Sequence, residues 1–254
     1  EGCGVCGVKS NCLSVHPVET EFGRKTQIHQ SSCNKDYSCL QGDCPSFLTV
    51  VPLGEPRKKE RRIFKVERAL PEPALRVPRD ANVFMMGIGG TGVVTVNQIL
   101  GTAALLDGRR IRGLDQTGLS QKGGPVVSHL KIVDAVPEVS NKIAAGEADC
   151  YVGFDILVAT APQNLGQARP ERTIAIVSTS EVPTGAMVTH TDVEFPEANE
   201  LVTAINRVTR KDENVYLDAG AIAEGLFSDH MATNPLMLGA AYQAGALPIS
   251  AASI

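Results

Sequence analysis

From residue 80 onward, short apolar runs alternate with longer stretches whose apolar residues recur at helical spacing. Residues 82–86 read as a strand, Gly87-Ile88-Gly89-Gly90-Thr91-Gly92 as a glycine turn, and 93–106 as a helix. Further strands are expected near 110–113, 126–133, 173–178 and 215–218, and helices over 155–167, 196–208, 219–228 and 235–244. Strands alternating with helices build βαβ units. The expected fold class is therefore α/β: a Rossmann-like, mostly parallel sheet with helices on both faces, preceded by a small irregular cysteine-rich segment.

Composition divides the chain where the pattern changes. Six of the seven cysteines lie in the first 44 of 254 residues, leaving Cys150 alone in the remainder. Residues 1–79 hold 13 basic against 9 acidic side chains, whereas 80–254 hold 11 against 19. The run Arg57-Lys58-Lys59-Glu60-Arg61-Arg62 among five prolines reads as an exposed linker. The expected organisation is a cysteine-rich segment over 1–52, a basic, proline-rich linker over 53–79 and an α/β domain over 80–254. A net charge of −4 argues against a general nucleic-acid binder, and no apolar run is long enough to span a membrane. No targeting sequence opens the chain, so a cytoplasmic location is expected. Glu1 stands two residues before a cysteine motif, and Ser250 caps a helix that has barely begun, so the chain reads as a piece of a longer polypeptide.

The cysteine spacing is Cys3-x2-Cys6-x5-Cys12, then Cys33-x5-Cys39-x4-Cys44-Pro45. Disulfides suit secreted chains. Structural zinc fits the x2 spacing and would draw on His16 or His29, but the second group lacks a paired knuckle. An iron–sulfur cluster accounts for more, since thiolates three residues apart wrap a cubane and Cys-Pro closes ferredoxin-type runs. Gly2, Gly4 and Gly7 would let backbone N–H groups turn toward cluster sulfides. Cys3, Cys6, Cys12, Cys33, Cys39 and Cys44 are all candidate ligands, with cluster number open. A further cysteine just before Glu1 would complete a Cys-x2-Cys-x2-Cys run.

Gly87-x-Gly89-x-x-Gly92, between a strand and a helix, has the context of a dinucleotide fingerprint, with Asp115 as the acid expected about 20 residues on. Gly87, Gly89, Gly90, Thr91 and Gly92 are candidate phosphate contacts; the alternative is that the glycines serve helix–sheet packing. A second polar loop, Asp115 to Pro125, is expected to face the first, with Lys122 as an anion contact or with its glycines serving only turns. No Gly-x-Ser-x-Gly elbow, His-Glu-x-x-His or Walker lysine occurs. The five histidines are scattered without metal spacing, Glu19 and Glu21 read as solvated, and no residue stands out as a nucleophile or general base.

Two stretches together resemble a known family. Gly2-Cys3-Gly4, Ser10-Asn11-Cys12, Glu19-Thr20-Glu21-Phe22-Gly23-Arg24-Lys25, Gln30-Ser31-Ser32-Cys33-Asn34-Lys35-Asp36 and Gly42-Asp43-Cys44-Pro45-Ser46-Phe47 resemble the cysteine-rich part of long, fused indolepyruvate ferredoxin oxidoreductases. Met86 to Val94 with Leu114 to Gly124 resembles the gamma domain of 2-oxoacid:ferredoxin oxidoreductases. The resemblance implies oxidative decarboxylation of a 2-oxo acid on thiamine diphosphate and magnesium, with electrons passing through [4Fe–4S] centres to ferredoxin and the acyl group to coenzyme A. It implies a homo-oligomeric parent enzyme, and partners in the remaining domains of the polypeptide or complex. A thiamine-binding Gly-Asp-Gly is missing from these residues, which places the thiamine site elsewhere and makes this piece incompetent alone. The competing expectation is a regulatory protein whose cysteines hold zinc and whose α/β domain senses NAD.

Overall fold

The computed structural model describes residues 2–10, 12–55, 70–118, 123–135, 140–190 and 192–254. The cysteine segment is more regular than its sequence suggests. Helix α1 (Val5–Ser10) ends where Ser10 Oγ donates back to the Cys6 carbonyl at 2.7 Å, a bond that competes with helix continuation. Strands β1 (Val15–Thr20) and β2 (Gly23–Ile28) form an antiparallel hairpin with Val15 opposite Ile28. A 3-10 turn over Ser38–Gly42 follows, bracketed by Tyr37 and Asp43 in the left-handed region.

Strand β3 (Ala81–Ile88) is buried on both faces and runs through the glycine turn into α2 (Val93–Leu106). The chain continues through β4 (Arg110–Thr117), β5 (Pro125–Val133), β6 (Cys150–Gly153), α3 (Ile156–Ala159), α4 (Pro162–Leu165) and β7 (Ile174–Ser178). Helices α5 (Gly185–Thr189) and α6 (Ala198–Asn206), strand β8 (Val215–Leu217), and helices α7 (Ala219–Phe227) and α8 (Thr233–Gln243) complete it. The sheet order is β4-β5-β3-β6-β7-β8. β3, β6, β7 and β8 are parallel, and β5 alone runs against its neighbours. Successive side chains of β3 enter opposite cores, as strand geometry requires. Val83 and Met85 pack with Leu100 of α2 and Leu238 of α8, while Phe84 and Met86 pack with Ile156 of α3 and Ile205 of α6.

Three local differences from the sequence reading have physical causes. The single helix expected over 155–167 is two, because Ala161 precedes Pro162 and is held extended at φ −60°, ψ 132°. Strand β6 gives no alternating signal because all four residues are buried. β4 runs on to Thr117 through polar, exposed residues paired to β5, so its second half lacks an apolar signature. Of the linker, 56–69 lies outside the described residues, including the basic run from Arg57 to Arg62; further on, Arg76 N–H donates to the Gly245 carbonyl at 2.8 Å and Val77 is buried. Among the described residues no helix is long and apolar enough to cross a membrane.

Candidate functional site

The glycine turn is partly a packing device. A Cβ on Gly87 would stand 2.9 Å from Val93 Cγ2 and 3.1 Å from Phe154 Cβ, so only glycine lets α2 and the end of β6 approach β3. Gly89 is buried, and its N–H donates to the Gly124 carbonyl at 2.7 Å. Thr91 closes the turn on itself, its Oγ1 donating to the Ile88 carbonyl at 2.6 Å, and Asn234 Nδ2 from α8 donates to the Thr91 carbonyl. Gly90 and Gly92 are left-handed at φ 91° and 94°; Gly90 faces open space and Gly92 caps α2 without any side-chain bond. An α2 N-terminus lacking a side-chain cap beside an open glycine is chemically suited to an anion.

The dinucleotide reading of Asp115 does not fit this geometry. Asp115 lies on β4, and β5 intervenes between β4 and β3, a separation of about 10 Å at sheet spacing. Its carboxylate instead accepts from Asn97 Nδ2 at 2.8 Å and Ser128 Oγ at 2.5 Å, tying α2 to β4 and β5. The second loop does meet the first, through the Gly89–Gly124 bond. Lys122, together with Leu119, Ser120 and Gln121, lies outside the described residues.

Where the two loops meet the cysteine segment there is a cavity of about 390 Å³. Gly7, Cys12 and Leu13 line one side, Ile88 and Gly123 the loop side, and Asp155 its floor, with residues 182–185 and Val188 closing it. Asp155 is 2% exposed. Its Oδ1 caps α3 by accepting from Val158 N–H at 2.8 Å, while its buried Oδ2 has no hydrogen-bond partner. Burial pushes this carboxyl up to about 6 against the cap bonds from Val158 and Leu157, which lower it. A cavity of this size, mostly apolar and lined in part by Asp155, suits a small organic ligand. Nothing in the local sequence marks Asp155, since capping alone accounts for an aspartate there.

The cysteine thiols share one neighbourhood. Burial pushes the Cys6 thiol up, and Cys3 and Cys44 add to that rise. Burial likewise raises Cys39, with contributions from Cys12, Cys33 and Cys6. All six are therefore within electrostatic reach of Cys6 or Cys39, and as thiolates they would repel one another unless a cation lay among them. Lys35 N–H donates to Cys33 Sγ at 3.4 Å. Lys35, Tyr37 and Asp43, between Cys33 and Cys44, are three of the four left-handed non-glycine residues among those described. Such conformations cost on the order of 1–3 kcal/mol each and persist where surroundings fix them. The early glycines serve close approach: a Cβ on Gly7 would stand 2.8 Å from Val188 Cγ1, so α1 lies directly on α5. Cys150, by contrast, is fully buried in the sheet, and burial pushes its thiol up into inertness.

Three of the five histidines come together in space. His16 stacks on His29 with ring centroids 5.1 Å apart, and His230 meets His29 edge-on at 5.8 Å, all beside Glu224. Sequence spacing could not reveal this, because the residues come from the hairpin and from the end of α7. His129 is a satisfied core residue: its Nδ1 accepts from Ile143 N–H at 3.2 Å, and burial, aided by Lys142 and Lys131, lowers it to about 4.

Residues 82–254 match the family described as pyruvate ferredoxin/flavodoxin oxidoreductase. The chain is similar to indolepyruvate oxidoreductase subunit IorB of Archaeoglobus fulgidus, 27% identical over 161 residues, covering 62% of this chain and 74% of that protein. It is also similar to subunit IorB of Methanothermobacter thermautotrophicus, 25% identical over 181 residues, covering 68% and 83%. Among solved structures, pyruvate oxidoreductase subunit PORC of Thermotoga maritima is 16% identical with a TM-score of 0.44, covering 66% of this chain and 79% of that one.

Proposed function

Because the chain belongs to the pyruvate ferredoxin/flavodoxin oxidoreductase family, we propose that it supplies the electron-relay segment and gamma-type domain of an indolepyruvate-type 2-oxoacid:ferredoxin oxidoreductase. The reaction is oxidative decarboxylation: a 2-oxo acid, coenzyme A and two oxidised ferredoxins give an acyl-CoA, carbon dioxide, a proton and two reduced ferredoxins. The observation that carries this reading is the position of the cysteine segment. α1 lies against α5, and Cys12 lines the cavity that also holds Asp155 and the ends of both glycine loops.

Each part of the chain then has a task. Ligands for a [4Fe–4S] cluster come from Cys3, Cys6, Cys12, Cys33, Cys39 and Cys44, whose proximity to Cys6 or Cys39 and left-handed turns suit a site that a cluster completes. Such a cluster accepts and releases single electrons. Coenzyme A is assigned to the junction, with the uncapped α2 N-terminus and Gly90 for its phosphates, Lys122 as a further anion contact, and the cavity floor for an amide of its arm. Asp155 Oδ2, buried in the cavity wall, would accept that amide hydrogen once the atoms covering it move aside. Thiamine diphosphate with magnesium, which supplies the carbanion chemistry, belongs to residues of the enzyme beyond these 254. The enzyme is placed in the cytoplasm and assembles from the other domains or subunits, as a homo-oligomer.

Anaerobic purification tests the reading. Iron and acid-labile sulfide in matching amounts, with broad absorption at about 400 nm, are expected. Cysteines holding zinc with no sulfide would overturn it. Calorimetry is expected to show binding of coenzyme A and none of NAD, and the reverse would remove the coenzyme A assignment.

A further inference from the structure

His29 meets two side chains about 200 residues further on where the hairpin touches the α/β domain. His29 follows β2, Glu224 lies on α7, and His230 opens the 3-10 turn after α7. One potential ligand atom from each lies within 4.8 Å of the other two. His29 Nε2 stands 2.9 Å from Glu224 Oε1, and His230 Nδ1 stands 3.7 Å from the same oxygen. Three atoms each about 2.05 Å from one tetrahedral centre stand about 3.3 Å apart, and these separations bracket that value.

Protonation makes the convergence more pointed. Ser32 Oγ donates to Ser14 Oγ at 3.0 Å, so His29 Nδ1, 2.9 Å from Ser32 Oγ, is the donor in that pair. In the neutral ring His29 Nε2 then carries the lone pair, beside Glu224. Glu224 Oε1 is buried and accepts no hydrogen bond, so its 2.9 Å approach to His29 lies outside hydrogen-bond geometry. A neutral ring nitrogen and a carboxylate oxygen this close, with no hydrogen bond between them, are accounted for by a cation that both approach from one side. The Ser32–Ser14 relay is also the arrangement that holds the ring of a ligating histidine in one tautomer. His230 is steadied by its backbone N–H, which donates to Ser31 Oγ at 2.9 Å, and His16 covers the His29 ring while its own Nε2 donates to the Leu13 carbonyl at 2.8 Å.

We propose that His29, Glu224 and His230 bind a divalent transition-metal ion, zinc by the character of two imidazoles and one carboxylate, and that this ion pins the β1–β2 hairpin to α7. The fourth tetrahedral position belongs to water. The site is separate from the six thiols and does not depend on what they hold.

The test is the zinc and iron content of the anaerobically purified chain, with X-ray absorption at the zinc edge. One zinc per chain is expected, with a nitrogen and oxygen shell and no sulfur scatterer at about 2.3 Å. In competition against a chelator, Glu224→Gln and His230→Gln are each expected to weaken zinc binding by at least about 100-fold, with iron content unchanged. Zinc should raise the unfolding midpoint of the unsubstituted chain but not of the variants; with chelator present all three should unfold alike, which separates ligand loss from misfolding. No zinc uptake, a sulfur shell, or unchanged affinity in both variants would overturn the proposal and leave an imidazole–carboxylate contact only.

Discussion

Gly89 donates its amide hydrogen to the carbonyl oxygen of Gly124 at 2.7 Å, so the two glycine loops are joined by a main-chain bond. That amide is spent inside the protein, and any anion at the α2 N-terminus must be met by other groups of the turn. The Gly89 amide is accordingly expected to exchange hydrogen as slowly as the β3–β5 ladder it continues. Exchange measured by NMR at the rate of an exposed loop would show that the loops part in solution.

Gly7→Ala separates two opposing effects. Alanine in the interior of α1 gains up to about 1 kcal/mol in helix propensity over glycine, yet its Cβ would stand 2.8 Å from Val188 Cγ1. Overpacking typically costs about 1–3 kcal/mol, so the clash wins and the variant is expected to be less stable. In a Val188→Ala background the obstructing methyl is gone, and Gly7→Ala should become stabilising. Urea unfolding of the four proteins reads the sign change; additive effects would mean that α1 does not lie on α5.

The contrast between what was legible and what was not follows from the range of the interactions. β3, the glycine turn and α2 could be read directly, because apolar period, glycine and helix spacing are local signals. The break at Ala161-Pro162 was also local and is visible once the residue before proline is considered. β6 was hidden because four fully buried residues carry no alternation. The partners of Asp115 depended on β5 inserting between β3 and β4, a choice of strand order that no local pattern encodes. The His29–Glu224–His230 group joins residues about 200 positions apart, and Asp155 looks like any helix cap until the cavity beneath it is seen.

Asp149 is fully buried and holds Arg172 through two bonds, at 2.7 and 3.0 Å, while its Oδ2 also accepts from Asn82 N–H at 2.8 Å. These bonds join the β3 and β7 ends of the sheet around β6. Arg172→Met leaves a buried carboxylate with only the Asn82 N–H as donor, and breaking a buried pair on one side costs about 3–5 kcal/mol. Arg172 is itself 30% exposed, so the lower end, about 3 kcal/mol, is expected in chemical denaturation. Adding Asp149→Asn should recover part of the loss by removing the stranded charge.

Asp155 makes stability depend on pH in a direction opposite to most carboxylates. Its folded-state value is raised to about 6 by burial, against about 3.9 for an aspartate in the unfolded chain. Between those values the folded state binds the extra proton, so this group's stabilising contribution is fully present below about pH 4 and is lost as pH rises through 6. The size is about 3 kcal/mol at full expression. Asp155→Asn cannot ionise but keeps an oxygen for the Val158 N–H that caps α3. The variant is therefore expected to be more stable than the unsubstituted chain above pH 6, with the difference shrinking toward pH 4. Urea unfolding of both proteins across that range isolates the group, because other titrations cancel in the difference. A ligand in the cavity that donates to Oδ2 favours the ionised form, lowers the carboxyl and shrinks the pH-dependent difference. If coenzyme A at saturation leaves that difference unchanged, the amide contact assigned to Asp155 is wrong even where the ligand binds.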